Sequence, residues 1–136
     1  MPEPVWLTAV TALLGGAGAV CRFTLDTFVM SRLIRAARGP RLPWGTLAVN
    51  VAGSLAIGVL AGLAIGGSLP EAWTWAFGVG FLGGFTTFST ASFETVTLLQ
   101  RGRWGAALAT GFGQLFAATL AAALGWWIGV FALSGF

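Results

Sequence analysis

The chain has 136 residues, 57% of them hydrophobic and 8% charged, with a mean hydropathy of +0.87. A soluble domain carries about a quarter charged residues, so this composition is that of an integral membrane protein. With no His and one Cys, the usual zinc site, an intrachain disulfide and a Ser-His or Cys-His nucleophile pair are excluded, and no enzyme activity is expected.

The net charge of +3 comes from seven basic residues, all Arg, against four acidic ones. A pI near 11.2 would suit a nucleic-acid partner, but these arginines sit between apolar runs and report membrane topology instead. One spanning helix needs about 20 apolar residues. Four such helices with short connections account for the chain, which predicts a single four-helix transmembrane domain over 1–136.

Helix 1 is expected from about Val5 to Met30. No basic residue precedes it, so a cleaved signal peptide is not expected. Gly15, Gly16 and Gly18 permit close helix contact, and Cys21 reads as a small packing residue. Arg22 and Asp26 are one turn apart and can pair. An ionisable residue at membrane depth is a functional candidate, although both can also snorkel to the interface. Ser31 to Pro43 reads as a polar connection carrying Arg32, Arg35, Arg38 and Arg41, with Gly39-Pro40 and Pro43 as breakers.

Helix 2 is expected over about 44–66, with Trp44 as an interfacial anchor. Asn50, Ser54, Gly58, Gly62 and Gly66 recur every four residues and form one face of small side chains, suited to close contact. A buried Asn50 needs hydrogen bonds. It can lock two helices together or present its NH₂ group to an anion. Thr46, one turn away on the same side, favours the second.

Helix 3 is expected over about 72–99, after a turn containing Pro70. At 28 residues it exceeds one span, which a break in its middle would absorb. Residues 80–94, Gly-Phe-Leu-Gly-Gly-Phe-Thr-Thr-Phe-Ser-Thr-Ala-Ser-Phe-Glu, read poorly as a lipid-facing helix. Gly80, Gly83 and Gly84 weaken the helix, and five hydroxyls alternate with four phenylalanines. Irregular backbone survives in hydrocarbon only where protein or water covers it. The stretch is either a buried break with free carbonyls and hydroxyls or a small-residue helix contact.

Gln100 to Arg103 is a tight basic connection. Helix 4 is expected over about 104–131, with Thr110 and Gln114 on one face. They line either a polar track or an ordinary interhelical contact. Four helices cannot supply two inverted halves around a midplane site, so a second copy or a partner is needed to enclose a pore. The 31–43 and 100–103 connections hold six arginines, while the termini and the 67–71 turn hold none. The positive-inside rule puts those connections in the cytoplasm and both termini outside.

The run Gly80–Glu94 resembles the third-helix motif of the Fluc/CrcB fluoride channels, and Pro43–Ser54, Pro-Trp-Gly-Thr-Leu-Ala-Val-Asn-Val-Ala-Gly-Ser, resembles the second-helix motif of the same family. Glycines followed by Arg22 in helix 1 match as well. The resemblance implies an antiparallel dimer of four-helix subunits, each with its third helix broken at the centre. Two fluoride pores would run along the dimer interface. It implies a structural sodium ion held by the backbone carbonyls of Gly83 and Thr86, and a pore lined by Asn50, Thr46, Phe88, Ser89 and Thr90, with Thr110 and Gln114 as a polar track and Arg22 at an entrance. Two positions depart from the pattern. Ala91 stands where the family has a second pore phenylalanine, and Ala118 continues the track in helix 4 without a hydroxyl. The six-to-zero arginine bias also argues against one chain inserting both ways, so the expected partner is an oppositely oriented homologue, or otherwise a second copy. The alternative function is a small dual-topology drug/proton antiporter. Its coupling carboxylate would have to be Asp26 or Glu94, since helix 1 contains no Glu.

Overall fold

A computed structural model describes residues 5–36 and 42–133, with side chains described through Arg32 and Phe131 at the ends of those segments. All regular structure among them is helical. Helix α1 spans Val5–Ala36 and α2 spans Trp44–Ile65. Helix α3 covers 71–85: it starts as Glu71–Thr74, widens to i→i+5 winding over Trp75–Leu82, and closes with Gly83–Phe85. Helix α4 is Phe88–Gln100, and α5 is Trp104–Trp127, continued with the wider winding over Ile128–Leu133. Three of these helices are long and apolar enough to cross a membrane: Val5–Arg32, Trp44–Ile65 and Trp104–Phe131. Helix α1 runs past Met30 because nothing between Ser31 and Ala36 breaks a helix. Arg32 therefore lies on its last described turns, with its guanidinium 4.8 Å from the centre of the Phe28 ring. Arg38 and Arg41 lie outside the described residues.

Polarity is inverted relative to a soluble core. The buried side chains include Thr46, Asn50, Thr110 and Gln114, whereas Val5, Leu13, Phe23, Phe112 and Leu120 are among many large apolar residues left exposed. Such a surface suits hydrocarbon rather than water. Cys21, expected to pack, is exposed on α1.

Helices α2 and α5 form the main contact, and they meet backbone to backbone. A Cβ on Gly58 would overlap the Ala122 carbonyl, and one on Gly125 would overlap the Leu55 carbonyl. A Cβ on Gly62 would likewise overlap the Trp126 carbonyl, so Gly58 and Gly62, two members of the small-residue face on helix 2, are explained by close approach to α5. Association in lipid depends on such packing because apolar burial supplies little drive there. Helices α1 and α3 pack in the same way, with Gly18 against Phe81 and Gly84 against Gly15. At the start of α2, the Asp26 carboxylate lies on the backbone of Gly45, where a negative charge is favoured by the helix dipole. The two tight turns after α2 and α4 rest on Gly67 (φ 68°) and Gly102 (φ 70°), a backbone region that glycine enters without penalty.

Gly125→Leu should therefore cost about 1–3 kcal/mol through overpacking, read as a lower midpoint in detergent-induced unfolding. Gly105→Ala, where a Cβ meets nothing within 4 Å and helix propensity favours alanine, should leave that midpoint equal or higher.

Candidate ion-handling site at the helix break

The break lies at Thr86 and Thr87. Thr86 has φ −81°, ψ 157° and Thr87 has φ −149°, ψ 120°, both extended, between helical residues on either side. Thr87 then caps α4: its hydroxyl accepts from the Thr90 N–H at 3.3 Å. This is the ordinary N-cap chemistry of threonine, and it explains why the chain re-enters a helix at once. The same hydroxyl donates to Thr90 Oγ1 at 3.1 Å and lies 3.3 Å from Ser89 Oγ. On the other side, the Thr86 N–H and hydroxyl both donate to the Leu82 carbonyl at 3.0 Å.

Asn50 of α2 holds the break. Its Nδ2 donates to the Thr87 carbonyl at 2.8 Å, and its Oδ1 accepts from the Thr87 N–H at 2.8 Å. The side-chain amide thus satisfies both polar groups of one extended residue, as a neighbouring strand would. Its locking role is visible here, and the second hydrogen on Nδ2 remains available. Gly53, one turn further along α2, leaves room for the Thr86 methyl and the Phe85 ring. Phe85 in turn stacks on Phe81 at 6.0 Å between centres.

A groove of about 480 Å³ opens at this point. Asn50, Ser54, Thr86, Thr87 and Phe88 line it together with Gln114 and Leu115 of α5. Phe88 is 85% exposed, so its ring projects from the subunit. Ala91 and Ala118, the two departures from the family pattern, line the same groove. They come from different helices, and together with Gly111 they leave it wide. Ser92, Thr95 and Thr97 each return their hydroxyl hydrogen to the carbonyl four residues earlier, which removes those three as free donors.

Further along α2, Thr46 joins three helices. Its hydroxyl donates to Glu94 Oε1 at 2.9 Å, and its carbonyl accepts from Gln114 Nε2 at 3.4 Å. Glu94 Oε2 and Gln114 Oε1 are buried without a hydrogen-bond partner. Thr110 is buried and lines, with Gln114 and Trp44, a smaller cavity of about 190 Å³ on the other side of α5. The site residues named from sequence therefore fall into separate places. Asn50, Phe88 and Gln114 share the groove. Ser89 and Thr90 reach it through the Thr87 hydroxyl, while Thr46 and Thr110 lie behind. Arg22 does not line the groove, and no ion pair joins it to Asp26 among the described residues. Sequence reasoning missed the Thr46–Glu94 contact and the grip on Thr87. Both are long-range pairs that spacing within one helix cannot reveal.

Among the described residues there is no cluster of three or more His, Cys, Asp or Glu able to hold a metal. Backbone oxygens are the alternative. The Gly83 and Thr86 carbonyls accept no backbone hydrogen bond across the break, so their lone pairs suit a hard cation.

The sequence matches the model of the CrcB-like protein, Camphor Resistance (CrcB) family over residues 9–126. Among similar proteins is the fluoride-specific ion channel FluC 1 of Leifsonia xyli, 46% identical over 131 residues that cover 96% of this chain and 91% of the relative. The FluC of Novosphingobium aromaticivorans is 46% identical over 120 residues, covering 87% and 91%. The FluC of Thermus thermophilus is 42% identical over 120 residues, covering 88% and 91%. Relatives named as fluoride channels leave the drug/proton antiporter without support. A family match across most of the chain, with relatives of this identity at nearly full length, makes this protein a member of the CrcB family.

Proposed function

We propose that this chain is a subunit of a fluoride-specific channel that lets cytoplasmic fluoride leave the cell passively and so lowers its toxicity. The observation that carries the reading is the groove at the break, lined both by the buried Asn50 amide and by the exposed Phe88 ring, in a chain whose relatives are named fluoride-specific channels. Fluoride is small and strongly hydrated, so its passage needs substitute donors. The second Asn50 N–H and the Ser89 and Thr90 hydroxyls supply them, and the electropositive edge of Phe88 can face the anion. Thr46, Thr110 and Gln114 continue a polar route behind the groove, and Arg22 raises local anion concentration at an entrance.

In this reading α3 and α4 are the two halves of a fourth span, and the groove becomes a pore when another subunit covers it. The partner is an oppositely oriented homologue in an antiparallel dimer. Six arginines on one side of the membrane and none on the other support a single orientation in the inner membrane, with both termini outside. Ala91 and Ala118 in one groove support a subunit whose own lining has been partly lost, as a paired homologue would permit. A structural sodium ion at the interface is held by the Gly83 and Thr86 carbonyls. Bound there, it supplies positive charge that lowers the cost of a nearby anion.

Liposomes containing this chain with an oppositely oriented homologue should release fluoride and retain chloride, as read by ion-selective electrodes. Efflux should be absent with this chain alone; robust flux from the single gene product would overturn the mixed pairing and leave self-pairing. No fluoride release in either case would sink the channel itself. An aromatic edge contact of about 0.5–1.5 kcal/mol corresponds to roughly 2- to 12-fold in rate. Phe88→Ile should therefore slow efflux within that range while dimers persist on size exclusion, and unchanged efflux would reduce the ring to packing.

A further inference from the structure

We propose that Asn50 is a positioning residue for the cation, and that it creates a cation ligand by diverting a hydrogen bond from it. This rests on the sodium site of the channel reading. In an uninterrupted helix the N–H of residue i+4 bonds the carbonyl of residue i. The natural partner of the Gly83 carbonyl is therefore the Thr87 N–H. Here that N–H is directed at Asn50 Oδ1 instead, at 2.8 Å. The helical ladder stops one residue earlier, with Thr86 N–H on the Leu82 carbonyl. Gly83 is left with an acceptor that no backbone N–H reaches across the break.

The exchange is stable because Asn50 offers two hydrogen bonds where the helix offered one. Its Nδ2 takes the Thr87 carbonyl as well, so Thr87 has no unsatisfied polar group at depth, which hydrocarbon would penalise. The clamp is also rigidly carried. Asn50 is 9% exposed, and the α2 backbone is seated on α5 through Gly58 and Gly125. Gly53 accepts the Thr86 methyl, which holds the next residue of the break in register. Rigid support of this kind is what keeps a site in working geometry.

Asn50 therefore serves two ions with different atoms. Its oxygen frees the Gly83 carbonyl for a cation, while the remaining hydrogen on its nitrogen is the donor for an anion in the groove. Without Asn50, the Thr87 N–H returns to Gly83, the break closes toward continuous helix, and the cation loses a ligand before any anion is present. A residue that only lined the pore would have no such effect.

The test reads the sodium response of the assembled dimer in fluoride-free detergent solution, as subunit exchange between fluorescently labelled dimers. N-methylglucamine replaces sodium in the control. In the wild type, sodium should slow exchange at least tenfold. In Asn50→Ala that response should fall below twofold. Replacing the Thr87 amide by an ester in the Asn50→Ala background removes the N–H that would reclose on Gly83, so at least half of the wild-type response should return. Asn50→Ala with the full sodium response, or failure of the ester to restore it, would overturn the proposal. A wild type indifferent to sodium would overturn it too, while liposome efflux reports on the fluoride channel separately. Should Asn50→Ala not assemble, carbon-13 at the Gly83 carbonyl of the wild type decides: its infrared band should shift with sodium and not with N-methylglucamine, and a static band refutes a freed ligand.

Discussion

A buried polar backbone group must find a partner within the protein, and the pairing of Asn50 with Thr87 is how this chain meets that demand while interrupting a helix. Two hydrogen bonds of 2.8 Å replace the ladder at Thr87. The neighbouring residues take up the other loose ends. Thr86 sends both its N–H and its hydroxyl back to Leu82, and the Thr87 hydroxyl caps the helix that follows. Through the Thr87 hydroxyl, Ser89 and Thr90 are drawn into one local network; beyond it, Ser92 and Thr95 return their hydroxyl hydrogens to carbonyls of their own helix.

That arrangement depends on a fixed platform. Glycines on α2 and α5 let the two backbones touch, so Asn50 is presented from a surface that cannot easily slide. The pairing of α1 with α3 does the same for the first half of the broken segment, with Gly18 and Gly84 admitting opposing carbonyls. The break therefore sits between two tightly packed helix pairs. Thr46 adds a second tie, joining α2 to Glu94 on α4 and to Gln114 on α5. Burying these polar side chains while exposing Phe88 and many aliphatic residues is economical in lipid, where only the polar groups need shelter.

The groove beside the break gathers residues from α2, α4 and α5. Ala91 and Ala118 widen it from two helices, which ties two separate departures from the family pattern to one piece of surface. Read one at a time, each is a small substitution in an apolar helix. Their convergence is a property of the packing of α4 against α5.

Composition alone pointed to a membrane protein, and the arginine distribution alone gave an expected orientation, because both depend on local transfer energies summed along the chain. The glycines and hydroxyls of 80–94 left a break and a small-residue helix contact both open, since helix propensity is a local quantity, and it was the family resemblance that implied the break. The motifs around Asn50 and Phe88 were enough to point to the family, and the family match and its named relatives agree with that reading. Tertiary structure decided what these residues touch. It placed the break at Thr86–Thr87, directed the Asn50 amide onto Thr87, tied Thr46 to Glu94, and left Arg22 and Asp26 unpaired despite their spacing. Each of these rests on which faces of separate helices meet, and a helical period within one segment carries no record of its neighbour's rotation or register.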